Sequence, residues 1–206
     1  MEVKLVHITP ECEKHISYCA RVSNPKNQDN PDYEKLLAYC IKNQHWSIFE
    51  MANICMEITT SRAISAQILR HKSFSFQEFS QRYSESTEFE TYEARKQDLK
   101  NRQNSTDDLS DVQKKWFKDR LYTFQCETAN LYQIALDMGI AKECARMFLP
   151  LSVQTKLYMN GSIRSWIHYI TLRTDKSTQL EHREIAQECK KIFKEQLPIV
   201  SKALNW

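Results

Sequence analysis

Between positions 70 and 84 the chain reads Arg70-His71-Lys72-Ser73-Phe74-Ser75-Phe76-Gln77-Glu78-Phe79-Ser80-Gln81-Arg82-Tyr83-Ser84. Three cations, one carboxylate, four serines and two amides alternate there with aromatic rings. Arg70 and Arg82 stand twelve apart with no glycine between them. Side chains of these types can hold a phosphate directly, arginine through its two-pronged fork and serine or glutamine through single hydrogen bonds. The same composition also suits a solvated basic loop, or a stacking surface for single-stranded nucleic acid. Taken alone, the residues leave all three open.

Glycine narrows the choice. The chain has only Gly139 and Gly161. A Walker loop or a GxGxxG turn needs several glycines so that backbone amides can approach a phosphate. Neither can be built here, so any nucleotide must be held by side chains. A net charge of only +3 argues against a nucleic-acid binder, which tracks phosphates with a strongly basic face. The seven cysteines are scattered, with no CxxC pair, which argues against a zinc site and a disulfide scaffold and for a reducing compartment. No metal site is expected. No apolar run reaches the ~18–20 residues of a membrane span, and Met1–Glu11 has no signal-peptide core. The expected location is cytoplasmic, without a membrane partner.

The elements that position these residues can be read from periodicity. Val3–Ile8 alternates as a strand, and a helix is expected from Glu11 to about Val22, followed by a polar loop over Ser23-Asn24-Pro25 and Asn30-Pro31. Leu36, Leu37, Cys40 and Ile41 have helical spacing, Ile54–Thr60 is strand-like, and Ser61–Leu69 reads as a short helix capped by Thr60 or Ser61. Residues 85–111 are polar throughout and lack any chemical signature. Ser105 and Asp108 resemble a capping box opening a long helix, whose seam is Phe117, Leu121, Phe124, Thr128, Leu131, Ala135 and Met138, with Gly139 placed as its terminator. A helix over Lys142–Phe148, a strand over Val153–Met159, and helices over Ile163–Leu172 and Thr178–Phe193 complete the chain. Without βαβ regularity the class is α+β: helices packed on a small, mainly antiparallel sheet in a single domain, residues 1–206, with one long helix. The length of the apolar seam suits either core contact or a subunit interface.

The motif itself closely resembles the signature of the flavin-dependent thymidylate synthases: an RHR triplet, then seven residues, then serine, one residue and arginine. Here these are Arg70-His71-Lys72, Ser80 and Arg82. Four other segments resemble that family in the same order. They are Ala20-Arg21-Val22-Ser23; His45-Trp46-Ser47-Ile48-Phe49-Glu50; Ala145-Arg146-Met147-Phe148-Leu149-Pro150; and Arg164-Ser165-Trp166-Ile167-His168 with Leu172-Arg173. Three positions depart from the pattern. Lys72 replaces an arginine and loses the fork, Gln77 stands where many members have asparagine, and Ser162 stands where some have asparagine.

The resemblance implies a homotetramer with active sites between subunits, making dTMP from dUMP. FAD is the implied cofactor, with NADPH reducing it and 5,10-methylenetetrahydrofolate supplying the carbon. By position, FAD contacts are expected at Ser23, Ser47, Arg70, His71, Lys72, Glu78, Ser162, Arg164 and His168. The dUMP contacts are expected at Gln67, Arg70, Glu78, Phe79, Ser80, Gln81, Arg82, Arg146 and Arg173. Arg173 is the implied catalytic residue, and His45 and Tyr83 are candidates to flank the folate. Residue chemistry agrees: Arg82 and Arg146 could neutralise a phosphate dianion, and a semi-buried Arg173 could stabilise charge developing on a pyrimidine. Ser80 has no histidine poised as its base and suits phosphate better than nucleophilic attack. None of the five prolines precedes a cysteine, unlike the nucleophile of the cysteine-dependent thymidylate synthases. A flavoprotein with an altered substrate is the alternative within the family, and a single-stranded nucleic-acid binder the alternative outside it.

Overall fold

The computed structural model describes residues 1–206. Its centre is an antiparallel strand pair, β2 (Asn53–Ser61) against β6 (Gln154–Ser162), aligned from Asn53↔Ser162 to Ser61↔Gln154. Both strands alternate, as a half-buried strand must. Ile54, Met56 and Ile58 meet Gly161, Met159 and Leu157 on the buried face. Glu57 meets Tyr158 on the other. β1 (Glu2–Ile8) pairs with β2, and β3 (Ser75–Glu78) pairs with β6, giving the order β1-β2-β6-β3, antiparallel throughout.

Each central strand runs directly into a helix through a serine. Ser61 caps α3 (Arg62–Ile68) by accepting the Ile64 N–H at 3.3 Å. Ser162 caps α6 (Ile163–Arg173) by accepting the Ser165 N–H at 3.3 Å. Because the strands are antiparallel, the two helices start at opposite ends of the pair and their C-terminal ends converge. That convergence brings the motif loop after α3 against Arg173.

The buried face is covered by α6, α7 (Leu180–Gln196) and α8 (Pro198–Ala203), with α1 (Cys12–Ala20) and α2 (Glu34–Lys42) closing one side. One cluster of 26 buried residues joins these elements into a single core. Trp166 lies at its centre, fully buried, its indole N–H donating to the Ile54 carbonyl at 2.9 Å. Phe74 packs over Gly161, where an added Cβ would lie 2.5 Å from its ring. No helix is long and apolar enough to cross a membrane.

The long helix, α4 (Asp111–Asp137), is present and ends at Gly139, whose φ of +79° makes the terminating turn. Its start differs from expectation. Ser110 accepts the Gln113 N–H while the Gln113 side chain accepts the Ser110 N–H, so the capping box lies five residues later than Ser105. Ser105 instead belongs to a two-stranded ribbon, β4 (Lys96–Gln97) with β5 (Ser105–Thr106), and Asp108 holds Lys96 and Thr106. A hydroxyl followed by an acid three residues on serves either purpose, and the local sequence does not choose. The seam also differs: Thr128 and Ala135 are buried, but Phe124, Leu131 and Met138 are exposed. β3 and α8 were not expected, and the Lys142–Phe148 helix is split into α5 (Lys142–Ala145) and a 3-10 turn over Arg146–Phe148.

Candidate active site

The convergence of α3, α6 and the start of α7 makes a polar junction under aromatic cover. Arg173, the last residue of α6, donates from Nε to His71 Nε2 at 2.9 Å. Arginine has no acceptor, so His71 must carry its proton on Nδ1. Burial, reinforced by Arg173, His168 and Arg70, pushes His71 down to about 4, so it is neutral at pH 7. Its ring stands edge-on to Tyr169, centroids 4.9 Å apart. Arg173 makes no ion pair, and its two Nη groups have no protein acceptor. Gln67 meets His182 Nδ1 at 3.4 Å, and His182 Nε2 meets the Tyr169 hydroxyl at 3.2 Å. His182 is fully buried and is pushed down to about 3 by burial and by Arg173, His71 and Arg70.

Glu78, on β3, is held inside the protein. It pairs with Arg62 at 2.9 Å and accepts from Ser65 at 2.5 Å and Thr155 at 3.0 Å. Arg62 also donates to the Phe79 carbonyl at 2.7 Å, so this carboxylate fixes the path of the chain from β3 into Ser80–Ser84. Gln81 is only 7% exposed, yet its Nε2 has no partner. A buried amide left unsatisfied is costly. Arg82 and Arg146 both turn to Glu143: Arg82 by an exposed ion pair at 3.0 Å, Arg146 by its backbone carbonyl at 3.3 Å. Tyr83 is 80% exposed.

A cleft of about 730 Å³ is lined by Trp46, Ser73, Arg164, His168, Thr171 and Trp206 among others. Arg164 forms an exposed pair with Glu50 at 3.2 Å at its rim. Indole walls with a cation and an imidazole suit a flat heterocycle carrying phosphate, and the volume is in the range of cofactor sites. Arg70 and Lys72 are exposed on the turn between α3 and β3 and have no carboxylate partner. Neither glycine cradles anything: Gly139 ends a helix and Gly161 is filled by Phe74. The phosphate-binding capacity therefore rests on side chains.

A family model described as "Thymidylate synthase complementing protein", Thy1, matches residues 4–199. The chain belongs to this family, the flavin-dependent thymidylate synthases. It is an enzyme of that family, 56% identical over the full length of both chains to the flavin-dependent thymidylate synthase of a Synechocystis strain. It is 49% identical, again over both full lengths, to a probable flavin-dependent thymidylate synthase of Paramecium bursaria Chlorella virus 1. Its fold matches a UMP/dUMP methylase of Streptomyces cacaoi solved with 5-bromo-dUMP, with a TM-score of 0.85 at 24% identity, covering 99% of this chain and 94% of that one.

Within this thymidylate synthase fold the residues singled out by sequence fall into separate groups. His71, Gln67 and Arg173 share the polar junction; Ser80, Gln81, Arg82, Tyr83 and Arg146 share the arm at α5; Arg164 and His168 share the cleft. Ser23 is exposed on the turn after α1, and His45 and Ser47 are exposed at the start of a 3-10 helix, Trp46–Glu50, after α2, with His45 edge-on to Tyr39 at 5.7 Å. Ser162 is 8% exposed and its hydroxyl is engaged in capping α6. Sequence reasoning missed Arg62, Arg95, Gln179, Glu181 and His182. Their partners lie up to 115 residues away, and no local pattern announces them. Arg173 sits in the last turn of α6, and His71 packs on Tyr169.

Proposed function

We propose that this protein methylates dUMP to dTMP, taking the carbon from 5,10-methylenetetrahydrofolate. The observation that carries the reading is Arg173: a half-buried cation with no carboxylate partner, oriented by a neutral histidine and leaving both Nη groups to a ligand. A cation so placed stabilises negative charge on the N3–O4 edge of a uracil, which enriches C5, the carbon that takes the new substituent. Arg82, Arg146 and Ser80 would hold the nucleotide phosphate, which displaces Glu143 from a weak exposed pair. The unpartnered Gln81 amide supplies a further donor, Phe79 flanks the base, and Gln67 and Arg70 complete the nucleotide site. Glu78 positions this arm through Arg62.

FAD would be held by Arg70, Lys72, Arg164 and His168 around the indole-walled cleft, with His71, Ser23 and Ser47 at its margins. Lys72 offers a point charge where an arginine would offer a fork. Bound FAD, once reduced by NADPH, supplies the hydride that completes the methyl group. His45 and Tyr83, both exposed, would flank the folate. The active assembly is a homotetramer. Support comes from an apolar face left bare on one protomer, with Trp116, Phe124, Ile134, Met138, Met147 and Leu151 all exposed, and from the separation of the three groups.

Colour tests the reading most directly. Purified protein should be yellow, bleach with NADPH, and form dTMP when dUMP and methylenetetrahydrofolate are added. Light scattering should give four chains per particle. Protein that folds, stays colourless with added FAD and makes no dTMP would defeat the proposal, and an active monomer would defeat the assembly.

A further inference from the structure

Behind Gln67 runs a line of hydrogen bonds with only one possible direction. Glu181, 5% exposed, is held by Arg95 at 2.6 Å. As a paired carboxylate it can only accept. It accepts from Gln179 Nε2 at 2.9 Å, which turns the Gln179 carbonyl toward Gln67. Gln67 Nε2 then donates to Gln179 Oε1 at 2.7 Å. The Gln67 carbonyl is left facing His182 Nδ1, so that histidine carries its proton there and takes the Tyr169 hydroxyl on Nε2. Turning any one member around would set two donors or two acceptors together in a half-buried place.

We propose that Arg95, Glu181, Gln179 and His182 are positioning residues that lock the Gln67 amide with its second N–H, not its carbonyl, toward the pyrimidine, making Gln67 the reader of the base's carbonyl edge. This rests on the reading that the nucleotide binds at Gln67. A uracil that has lost its N3 proton presents only acceptors along O4, N3 and O2, and a fixed donor suits that edge. Cytosine presents an amino group at C4, which a fixed donor opposes. A free amide could turn over and accept from it; a locked one cannot. The same line gives the polar segment 85–111 a task. Arg95 reaches from it to the start of α7, across a cavity of about 780 Å³ that both Arg95 and Gln179 line. The segment is a strap holding the outer end of the lock.

Two variants test this in flavin-loaded protein. Glu181→Gln keeps the shape but lets the line reverse, and Gln179→Met removes one link while leaving the Arg95–Glu181 pair intact. Titration calorimetry with dUMP and with dCMP should show the ratio of the two affinities falling about tenfold in each variant, flavin content being kept. A ratio within twofold of the parent in either folded variant overturns the lock. So does an equal loss for both nucleotides, which would mean packing alone. Should Glu181→Gln fail to fold, Gln179→Met decides. Gln67→Ala identifies the level of any failure: if it binds both nucleotides like the parent, the nucleotide does not lie at Gln67, and the site assignment falls before the lock does.

Discussion

The two groups assigned to the nucleotide are built in opposite ways. At the junction of α3, α6 and α7, His71 orients Arg173, and Gln67, His182 and Tyr169 are joined in one line of hydrogen bonds, so the Arg173 Nη groups and the second Gln67 N–H are open but fixed in direction. In the arm around α5, Arg82 and Arg146 lean on Glu143 at the surface, Tyr83 is exposed, and Gln81 is buried with an unsatisfied amide. One region has its open donors oriented inside the protomer and the other does not. Under the proposed function, the difference separates a site that places charge from a site that captures a ligand. The first must be rigid before the substrate arrives, because preorganised charge acts only when it need not move. The second can complete its hydrogen bonds on binding.

The sharpest way to break this comparison is Arg173→Ala. It should slow dTMP formation by roughly a hundred- to a thousandfold, while NADPH still bleaches the flavin in stopped flow. Loss of flavin reduction to the same degree would place Arg173 at the cofactor instead. Arg82→Ala should act on capture: dUMP affinity falls about ten- to a hundredfold, with saturating turnover close to the parent. A drop in turnover at saturation, with affinity kept, would exchange the roles of the two regions.

The junction also carries a pH signature. Its two histidines are held neutral, His182 down to about 3 and His71 to about 4, whereas an unfolded histidine titrates near 6.5. Their folded values lie below the unfolded one, so the unfolded chain binds more protons in that window. Their contribution to stability is present above pH ~6.5 and is lost as pH falls toward 4 and 3. Melting temperature should drop between pH 7 and 4.5, and His182→Asn should flatten that slope even if it melts lower throughout. An unchanged slope would show that His182 is not the proton sink. The smallest effect is expected of the thiols. Burial pushes Cys12 up to about 12 and raises Cys40, Cys55 and Cys189 as well. Each single Cys→Ala variant should make dTMP within about tenfold of the parent. A folded, yellow variant losing more than about a hundredfold would require a thiol nucleophile.

Legibility in the sequence followed the range of the physics. Strands β1, β2 and β6, the Ser61 cap and the Gly139 terminator are local, and periodicity or a single residue type reveals each. The motif loop was legible because its chemistry is contiguous, Arg70 to Ser84. β3 was obscured inside that motif, since Ser75-Phe76-Gln77-Glu78 reads as a polar loop until it is paired with β6. The Gln67–Gln179–Glu181–Arg95 line was invisible. Each of its residues is unremarkable alone, and its direction emerges only when 86 residues of separation between Arg95 and Glu181 are closed.

Gly161 gives the strand pair a distant influence. Phe74 lies over it, and the same ring stands 5.0 Å from Trp166, 5.9 Å from Tyr169 and 6.5 Å from His71, centre to centre. These rings form a train of gears between the sheet and the guanidinium of Arg173. A methyl group at position 161 would drive the first gear outward by the overlap it cannot absorb, and the last one would turn with it. The alignment of Arg173 is thus calibrated from below, by the one strand position that carries no side chain.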